Sequence, residues 1–482
     1  MRSSFNKVTP RPTPLRGTHS ESGSGAPKGG SGGIKVLGAV LFFSLLASGA
    51  PALSAGGSGE QIPPLRVVKL KPVPAMRAAP QGVDAGASTN SAVVNRGLVK
   101  VSEEPIPPLR VVRLKPDGAM RAAQVLVFEG TAPDEIKSEI SRLSSSGVNA
   151  IILRVFHNSF DRGFFTKERG SGGGVYFKTS HAPLKADILS LAVTEAHRSG
   201  VKIFAWMTTR YADYGVEERD GLVCRGYDIE KGVFTRCKGL DIFNDETIER
   251  LEGLYSDLAS YDIDGILFQD DLILKHNEGF GQFAEALYRR DTGRDLLADE
   301  LYVRHDDGRV GYTKEFWEWA SWKNKRLLYV ADRLKKAVRA KNPDVKFAIN
   351  MMYESVTNPT MALAWFSQDF REAVKSGFDY YSIMAYHKQM SDELGKDSEE
   401  ISYLIEELTS EAIEMAGEPR KVLIKFQTID WTTGEPLDYT DVTDLARRIN
   451  GKGVSMAVVP YMVDFPFAAF CGTDRLASLD RR

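Results

Sequence analysis

From Gln124 onward, short apolar runs rich in β-forming residues alternate with stretches that have the 3.6-residue periodicity of amphipathic helices. Eight such runs fit within about 350 residues, which predicts the α/β class and a single (β/α)8 TIM-like barrel. A doubly wound open sheet is the alternative, but no glycine-rich phosphate turn follows the first run. The predicted strands are 125–128, 149–155, 202–207, 264–268, 346–351, 380–385, 421–427 and 455–460.

The first 55 residues have the pattern of a signal peptide or membrane anchor. Lys35 precedes an apolar run over 36–47, and small residues follow up to candidate cleavage sites at Ala52 and Ala55. The run is shorter than the roughly 20 residues of a membrane-spanning helix, which favours a cleaved signal over a retained anchor. Either reading predicts a periplasmic or other extracytoplasmic protein whose membrane contact is confined to this segment.

Residues 56–123 are rich in Gly, Pro, Ala and Ser and lack helix or strand periodicity, which predicts a disordered tether. The tether contains a duplicated motif, because the sequence of 62–68 recurs unchanged at 106–112. A recent duplication is the simple interpretation. A short docking motif for exopolysaccharide export machinery is the alternative.

The composition is that of an ordinary globular protein, with 43% hydrophobic and 26% charged residues. Residues 1–123 carry 16 Lys and Arg against 6 Asp and Glu, which leaves 46 against 58 in the rest of the chain. The tail is therefore basic and the predicted barrel acidic. Nothing in this balance indicates nucleic-acid binding, and the acidic barrel would attract a cationic ligand.

In a TIM barrel the active site lies at the carboxyl ends of the strands. Here those ends carry carboxylates, amides and aromatic rings, the groups that transfer protons to sugars and stack on them. Asp270 and Asp271 directly follow the fourth predicted strand and are the predicted catalytic pair. The predicted substrate-binding residues are Arg154, His181, Trp206, Gln269, Asn350, Tyr386, Gln427, Asp430, Trp431 and Tyr461.

Successive strand residues point to opposite faces, so only one of Asp270 and Asp271 faces the barrel axis in regular geometry. Glycoside hydrolysis usually needs one carboxylic acid and one base or nucleophile. We assign Asp271 as the acid and Asp270 as the helper carboxylate, with the order left open. An N-acetyl group of the substrate is an alternative to the second carboxylate.

A set of ordered segments within residues 124–465, roughly 70% of the chain, carries a family resemblance: 175–177, 181–187, 200–207, 264–271, 348–353, 365–368, 378–380, 383–385 and 426–431. Together they resemble the C-terminal glycoside hydrolase domain of the PgaB family of bacterial poly-β-1,6-N-acetylglucosamine N-deacetylases. The resemblance implies an extracytoplasmic barrel that cleaves partially de-N-acetylated poly-β-1,6-N-acetylglucosamine internally, with the acidic pair as its catalytic feature.

This chain differs from the family at Gln269, where a histidine is usual, and in the loop after the second strand. These differences keep two alternatives open: a non-catalytic polysaccharide-binding or export scaffold, and a hydrolase of another glycan. The family's deacetylase half is absent from the sequence, and the histidines form no helical i, i+4 pair. We therefore expect no zinc site and no cofactor.

The chain has three cysteines, Cys224, Cys237 and Cys471. Cys224 and Cys237 flank a polar loop after the third strand, on the face expected to hold the active site. An oxidising compartment would allow them to pair. We predict a Cys224–Cys237 disulfide at the rim of the cleft, with Cys471 unpaired.

Overall fold

The computed structural model describes residues 118–128, 132–158, 173–216, 219–305 and 310–473. The predicted signal or anchor and nearly all of the predicted tether lie outside these residues. Within them, no helix combines the length and apolar character needed to cross a membrane.

Eight parallel strands close into a barrel, which confirms the predicted (β/α)8 architecture. Each strand pairs with its neighbours in chain order, and the first pairs with the eighth. Near the carboxyl ends, Arg154 lies opposite Trp206, and Ile349 opposite Phe268. The strands are Arg121–Val125, Ala150–Arg154, Lys202–Met207, Gly265–Phe268, Lys346–Met352, Tyr380–Met384, Val422–Gln427 and Ser455–Val459.

The first strand is the one whose predicted position was wrong. It begins at Arg121, four residues before the predicted start at Val125, so the barrel includes the last residues assigned to the tether. Ala122 and Ala123 have low β propensity, and Gln124 is polar, so the sequence pattern favours the apolar run that follows. Pairing on both sides overrides that local preference: Ala122 lies opposite Ala150 and Ala457.

Helices surround the barrel and bury their apolar faces against it. Several begin at a side-chain cap: the Asn244 and Thr313 side chains accept hydrogen bonds from the backbone N–H groups of Glu246 and Phe316. The α-helices are Pro133–Ser145, Ile188–Arg198, Asp245–Leu258, Gln282–Thr292, Ala298–Leu301, Lys314–Arg339, Glu354–Thr357, Pro359–Phe366, Phe370–Lys375, His387–Leu394, Ser398–Ala416, Tyr439–Asn450 and Phe467–Cys471, and the 3-10 helices are Asp220–Leu222 and Pro419–Lys421.

Small antiparallel sheets are inserted into the loops of the barrel. The largest is a hairpin between the third barrel strand and the next helix, and a strand from the following loop pairs with it. Its strands are Val223–Asp228, Val233–Leu240 and Glu278–Phe280, and the two smaller sheets pair Phe156–His157 with Gly174–Val175 and Tyr302–Arg304 with Val310–Tyr312.

The barrel interior is apolar toward the amino ends of the strands and mostly polar toward their carboxyl ends. Alternate side chains of each strand point inward. The apolar interior cluster consists of Met120, Ala122, Leu126, Ala150, Ile152, Phe204, Trp206, Leu267, Ala348, Leu423 and Ala457. The next inward positions toward the carboxyl ends are polar in several strands, and these positions form the floor of the site.

Asp264 and Gly265 join the third and fourth strands at the amino end of the barrel. One Asp264 carboxylate oxygen accepts hydrogen bonds from the Ile203 backbone N–H at 2.7 Å and from His197 Nε2 at 2.9 Å. Gly265 then passes so close to the Phe204 ring that an added Cβ would lie 2.2 Å from a ring carbon. A glycine is therefore required for the ring to fill the barrel interior.

We expect Gly265→Ala to lower the free energy of unfolding by about 1–3 kcal/mol, because the buried Phe204 ring must leave its place. Urea denaturation measures the change. Gly451→Ala is the matched control, since no atom lies within 4 Å of the added Cβ and the backbone has helical φ and ψ. Equal stability of the two variants would contradict the packing described here.

Candidate active site

The floor of the site is a layer of polar side chains and one tryptophan at the carboxyl ends of the barrel strands. Arg154, Trp206, Asn350 and Lys425 occupy inward positions near the carboxyl ends of the second, third, fifth and seventh strands, and all four are buried. Gln269, directly after the fourth strand, is also buried. The structure therefore brings together four predicted substrate-binding residues and one lysine that was not predicted.

Asp271 is a structural carboxylate that anchors the loop after the third strand. It is only 2% exposed. Its two oxygens accept hydrogen bonds from the Thr208 hydroxyl at 2.7 Å, the Thr209 hydroxyl at 2.7 Å, and the backbone N–H groups of Thr209 and Tyr211 at 2.9 and 2.7 Å. We call this set of four donors the Asp271 clamp. A carboxylate held this way is poorly placed to exchange a proton with a substrate.

Asp270 has the opposite environment. Its side chain is half-buried, in contrast to the buried Asp271 beside it. Burial raises the pKa of the Asp270 carboxyl and the neighbouring Asp271 raises it further, while the positive charges of Lys425 and Arg154 act against the rise. A carboxyl with a raised pKa keeps its proton closer to neutral pH, as a general acid must. These features suit Asp270 to the role of the acid, while the order we assigned from the sequence stays a prediction.

Lys425 interacts electrostatically with Asp270 and was not among the residues predicted from the sequence. It is 1% exposed, and its Nζ donates a 3.0 Å hydrogen bond to Asn350 Oδ1. Burial lowers the pKa of Lys425 to about 7, while the negative charge of Asp270 acts in the opposite direction. A lysine inside a parallel strand that follows three apolar residues is unusual, and this signal could have identified it.

Aromatic side chains lie beside the buried cations of this layer. The Arg154 guanidinium carbon lies 5.2 Å from the centre of the Trp206 ring, and the Tyr386 and Trp431 rings meet edge to face with centroids 5.4 Å apart. Burial raises the pKa of the Tyr386 hydroxyl well above its usual range, and the Asp270 charge adds to this rise. Such rings provide the apolar surface on which sugar C–H groups stack.

Several buried polar atoms in this layer lack a hydrogen-bond partner within the residues that the structure describes. They are Gln269 Oε1, Trp206 Nε1, Asn350 Nδ2 and Trp431 Nε1. Buried polar groups are normally satisfied by protein, water or ligand. The mouth of the barrel therefore offers both donors and an acceptor to a polar ligand.

Gln427 and Asp430 serve the local fold instead. Gln427 Oε1 accepts a hydrogen bond from the Gln389 backbone N–H at 3.0 Å, and its Nε2 donates to the Ile429 carbonyl at 2.9 Å. Asp430 accepts hydrogen bonds from the backbone N–H groups of the next turn, the nearer at 2.7 Å from Thr432. Their contacts order the loop that carries Trp431.

His181 and Tyr461 make their contacts with outer helices and not with the acidic pair. The His181 ring packs on Gly253, in the helix after the hairpin. The Tyr461 hydroxyl bonds to Arg142, in the first helix of the barrel. Because a strand-end position alone does not fix the direction of a side chain, the sequence grouped these two with the residues of the mouth.

A further acidic group lies after the fifth strand. Glu354 is buried, and burial raises its pKa to about 8. The Tyr353 hydroxyl donates a 2.8 Å hydrogen bond to Glu393, whose negative charge raises the Glu354 pKa further. No sequence motif marks Glu354 as different from other glutamates at the ends of strands.

Comparison with known proteins places this site within a family. The model of Hypothetical glycosyl hydrolase family 13 matches residues 131–459, more than half of the chain. The chain belongs to this family. Its matched region includes the acidic pair, the Asp271 clamp, Lys425 and the aromatic residues of the mouth. No curated protein matches the chain in sequence.

Solved structures of other hydrolases resemble this member of Hypothetical glycosyl hydrolase family 13. The PgaB (BpsB) glycoside hydrolase domain from Bordetella bronchiseptica shares 20% identity at a TM-score of 0.58, over 72% of this chain and 95% of that one. The β-galactosidase from the psychrophilic Marinomonas ef1 shares 10% identity at a TM-score of 0.49, over 75% and 60%. The PgaB domain shows the same fold, in agreement with the sequence resemblance.

The hairpin at the rim of the family 13 site contains the predicted disulfide. Cys224 and Cys237 are bonded, with Cα atoms 5.2 Å apart, and Cys471 is free. Arg210 connects this hairpin to the Asp271 clamp, because it directly follows Thr209 and forms a 3.1 Å ion pair with Glu278. The Arg210 guanidinium also donates to Cys224 Sγ at 3.2 Å.

The two neighbouring carboxylates should differ in their contribution to stability. We expect Asp271→Asn to lower the free energy of unfolding by roughly 2 kcal/mol more than Asp270→Asn, because an amide cannot accept from all four donors of the clamp. Urea denaturation of both variants tests this. Equal losses of stability would show that the clamp does not fix Asp271.

Proposed function

We propose that the protein is an endo-acting glycoside hydrolase that cleaves partially de-N-acetylated poly-β-1,6-N-acetylglucosamine or a related biofilm exopolysaccharide. One observation carries the proposal: Asp270 is a half-buried carboxyl with a raised pKa at the mouth of a glycosyl hydrolase barrel. The aromatic rings and unpartnered polar atoms around it suit a polymer of hydroxyl and amide groups.

In the proposed reaction, Asp270 gives its proton to the glycosidic oxygen as the bond from that oxygen to the sugar C1 breaks. Asp271 is occupied by its clamp and holds the loop beside the acid. The carbonyl oxygen of the substrate's own N-acetyl group attacks C1, in place of a second carboxylate. Water then opens the cyclic intermediate and returns a proton to Asp270.

The charge of the barrel supports a substrate that carries free amines. Residues 124–482 hold 46 Lys and Arg against 58 Asp and Glu. A partly deacetylated polymer is cationic, and a net negative protein attracts it over the Debye length. The PgaB relative is a glycoside hydrolase domain of the same fold.

We further propose that the protein acts outside the cytoplasm, with residues 56–123 as a link to the membrane or to export machinery. The disulfide supports this location, because such bonds persist in oxidising compartments. A non-catalytic scaffold is the second candidate. Gln269 motivates it, since a glutamine stands where the related family usually has a histidine next to the acidic pair.

We expect Asp270→Asn to lower kcat on the partly deacetylated polymer by roughly 10²- to 10⁴-fold, the usual contribution of general acid catalysis. Release of reducing ends, measured with the purified full chain, tests this. Asp392→Asn is the control, since Asp392 is exposed and pairs with Lys388 on the surface. A wild-type protein that binds the polymer without releasing ends would instead support the scaffold.

The salt dependence of KM should distinguish electrostatic attraction of the substrate from the catalytic step. We expect the KM for the partly deacetylated polymer to rise several-fold between about 0.05 and 0.5 M NaCl, because salt screens the attraction to the acidic barrel. The KM for a fully N-acetylated polymer should change little. Parallel salt dependence of both substrates would contradict a role for the polymer amines.

A further inference from the structure

Lys425 occupies a position where a charged side chain is unfavourable unless another group compensates for its burial. The seventh strand, Val422–Gln427, is buried along its whole length. Lys425 alternates with Leu423, a member of the interior apolar cluster, so its side chain points into the barrel. Burying an ammonium in such a place is expensive unless it is paired and hydrogen-bonded.

The surroundings of Lys425 hold its ammonium group at one point. Asn350 Oδ1 accepts its hydrogen bond at 3.0 Å. Asn350 is in turn fixed through Gln368, whose Nε2 donates to the Asn350 carbonyl at 3.0 Å and whose Oε1 accepts from the Met352 N–H at 2.9 Å. The ammonium also lies 5.9 Å from the Trp206 ring centre. These contacts hold the ammonium near the carboxyl ends of the strands, at the mouth of the barrel.

The acid that interacts with this ammonium is Asp270. Phe268, at the end of the fourth strand, lies opposite Ile349, and Asp270 follows two residues later. Asn350, which binds the Lys425 ammonium, directly follows Ile349, so Lys425 and Asp270 lie near the same level of the barrel. Lys425 and Arg154 both act on Asp270 as positive charges. Among the residues that the structure describes, Asp270 also interacts with Asp271 next to it, Tyr386 after the sixth strand and Tyr211 in the Asp271 clamp. Of the two buried cations, Lys425 has the larger effect on the proposed acid, ahead of Arg154.

We propose that Lys425 is a positioning residue for Asp270: its ammonium, held by Asn350, stabilises the carboxylate that forms when Asp270 passes its proton to the leaving glycosidic oxygen. This inference rests on the proposed function. In the step, the proton moves from Asp270 to the oxygen, the bond from C1 to that oxygen breaks, and the new negative charge stays on Asp270 beside Lys425. Lys425 itself neither gains nor loses a proton.

The test compares Lys425→Met with the wild type on two substrates that differ in leaving group. One is the polymer, whose sugar leaving group needs a proton. The other is an aryl glycoside of the same oligosaccharide, whose phenolate leaves with little protonation. We expect kcat on the polymer to fall roughly 10²-fold, with KM little changed. On the aryl glycoside, kcat should fall less than about 3-fold. Equal losses on both substrates would overturn the proposal.

The pH profile gives a readout that a purely structural role would not change. The positive charge of Lys425 lowers the Asp270 pKa, so its removal raises that pKa. Because Asp270 acts in its protonated form, the alkaline limb of kcat/KM should move to higher pH in Lys425→Met. A limb that stays in place, or moves to lower pH, would contradict the proposal.

Two further variants guard against misfolding and nonspecific effects. Lys346→Met removes a lysine from the amino end of the barrel, where it pairs with Asp379, and should leave both substrates and the pH profile unchanged. Asn350→Leu keeps the lysine but removes its hydrogen bond, and should shift the alkaline limb in the same direction by a smaller amount. A wild type inactive on the polymer would refute the proposed function itself, whereas an active wild type and an equally active Lys425→Met would refute this inference alone.

Discussion

The arrangement of the site depends on the clamp around Asp271. Four donors from one loop converge on a buried carboxylate that directly follows the fourth strand. Hydrogen bonds to a charged acceptor are among the stronger ones in proteins. Because the clamp holds Asp271 against the loop after the third strand, Asp270 is the half-buried member of the pair, and we propose that it is the carboxyl that faces the substrate.

The clamp also joins the barrel to its largest insertion. Thr208 and Thr209 bind Asp271, and the next residue, Arg210, bonds to Cys224 of the disulfide-linked hairpin. Arg210 also pairs with Glu278, in the strand that completes this small sheet. The hairpin, the loop and the carboxylate pair therefore form one connected polar network. Loss of order in the hairpin would reach the carboxylate pair through Arg210 and through Tyr211, whose ring lies under Lys238 of the hairpin.

The barrel could be predicted because its strands are buried on both faces and appear as continuous apolar runs between helical periods. Seven strands lie within two residues of their predicted ends. The first strand was misplaced because Ala122 and Ala123 pair through their backbone and not through strong β propensity. The disulfide was predictable because both cysteines fall in one insertion after the third strand, 13 residues apart, although the structure places them on the two strands of a hairpin.

The roles of the two aspartates could not be predicted, because they depend on a loop about 60 residues earlier in the chain. The alternation of side chains along a strand predicts that Asp270 and Asp271 point in different directions. Only the structure shows that Asp271 is the one whose oxygens accept the hydrogen bonds of the clamp. The same limit applies to Tyr461, whose hydroxyl contacts Arg142 more than 300 residues away. Lys425 could have been noticed, but its partner Asn350 lies two strands away and leaves no local pattern.

The central claim is that Asp270 holds the catalytic proton, and the most direct measurement is the titration of its carboxyl carbon by ¹³C NMR in the full chain. The Asp270→Asn variant assigns the signal. The account predicts that Asp270 titrates clearly above the ordinary aspartate pKa of about 3.9, at the pH where kcat/KM begins to fall on the alkaline side. A carboxyl that titrates at or below the ordinary value, at a pH different from the one where activity falls, would contradict it.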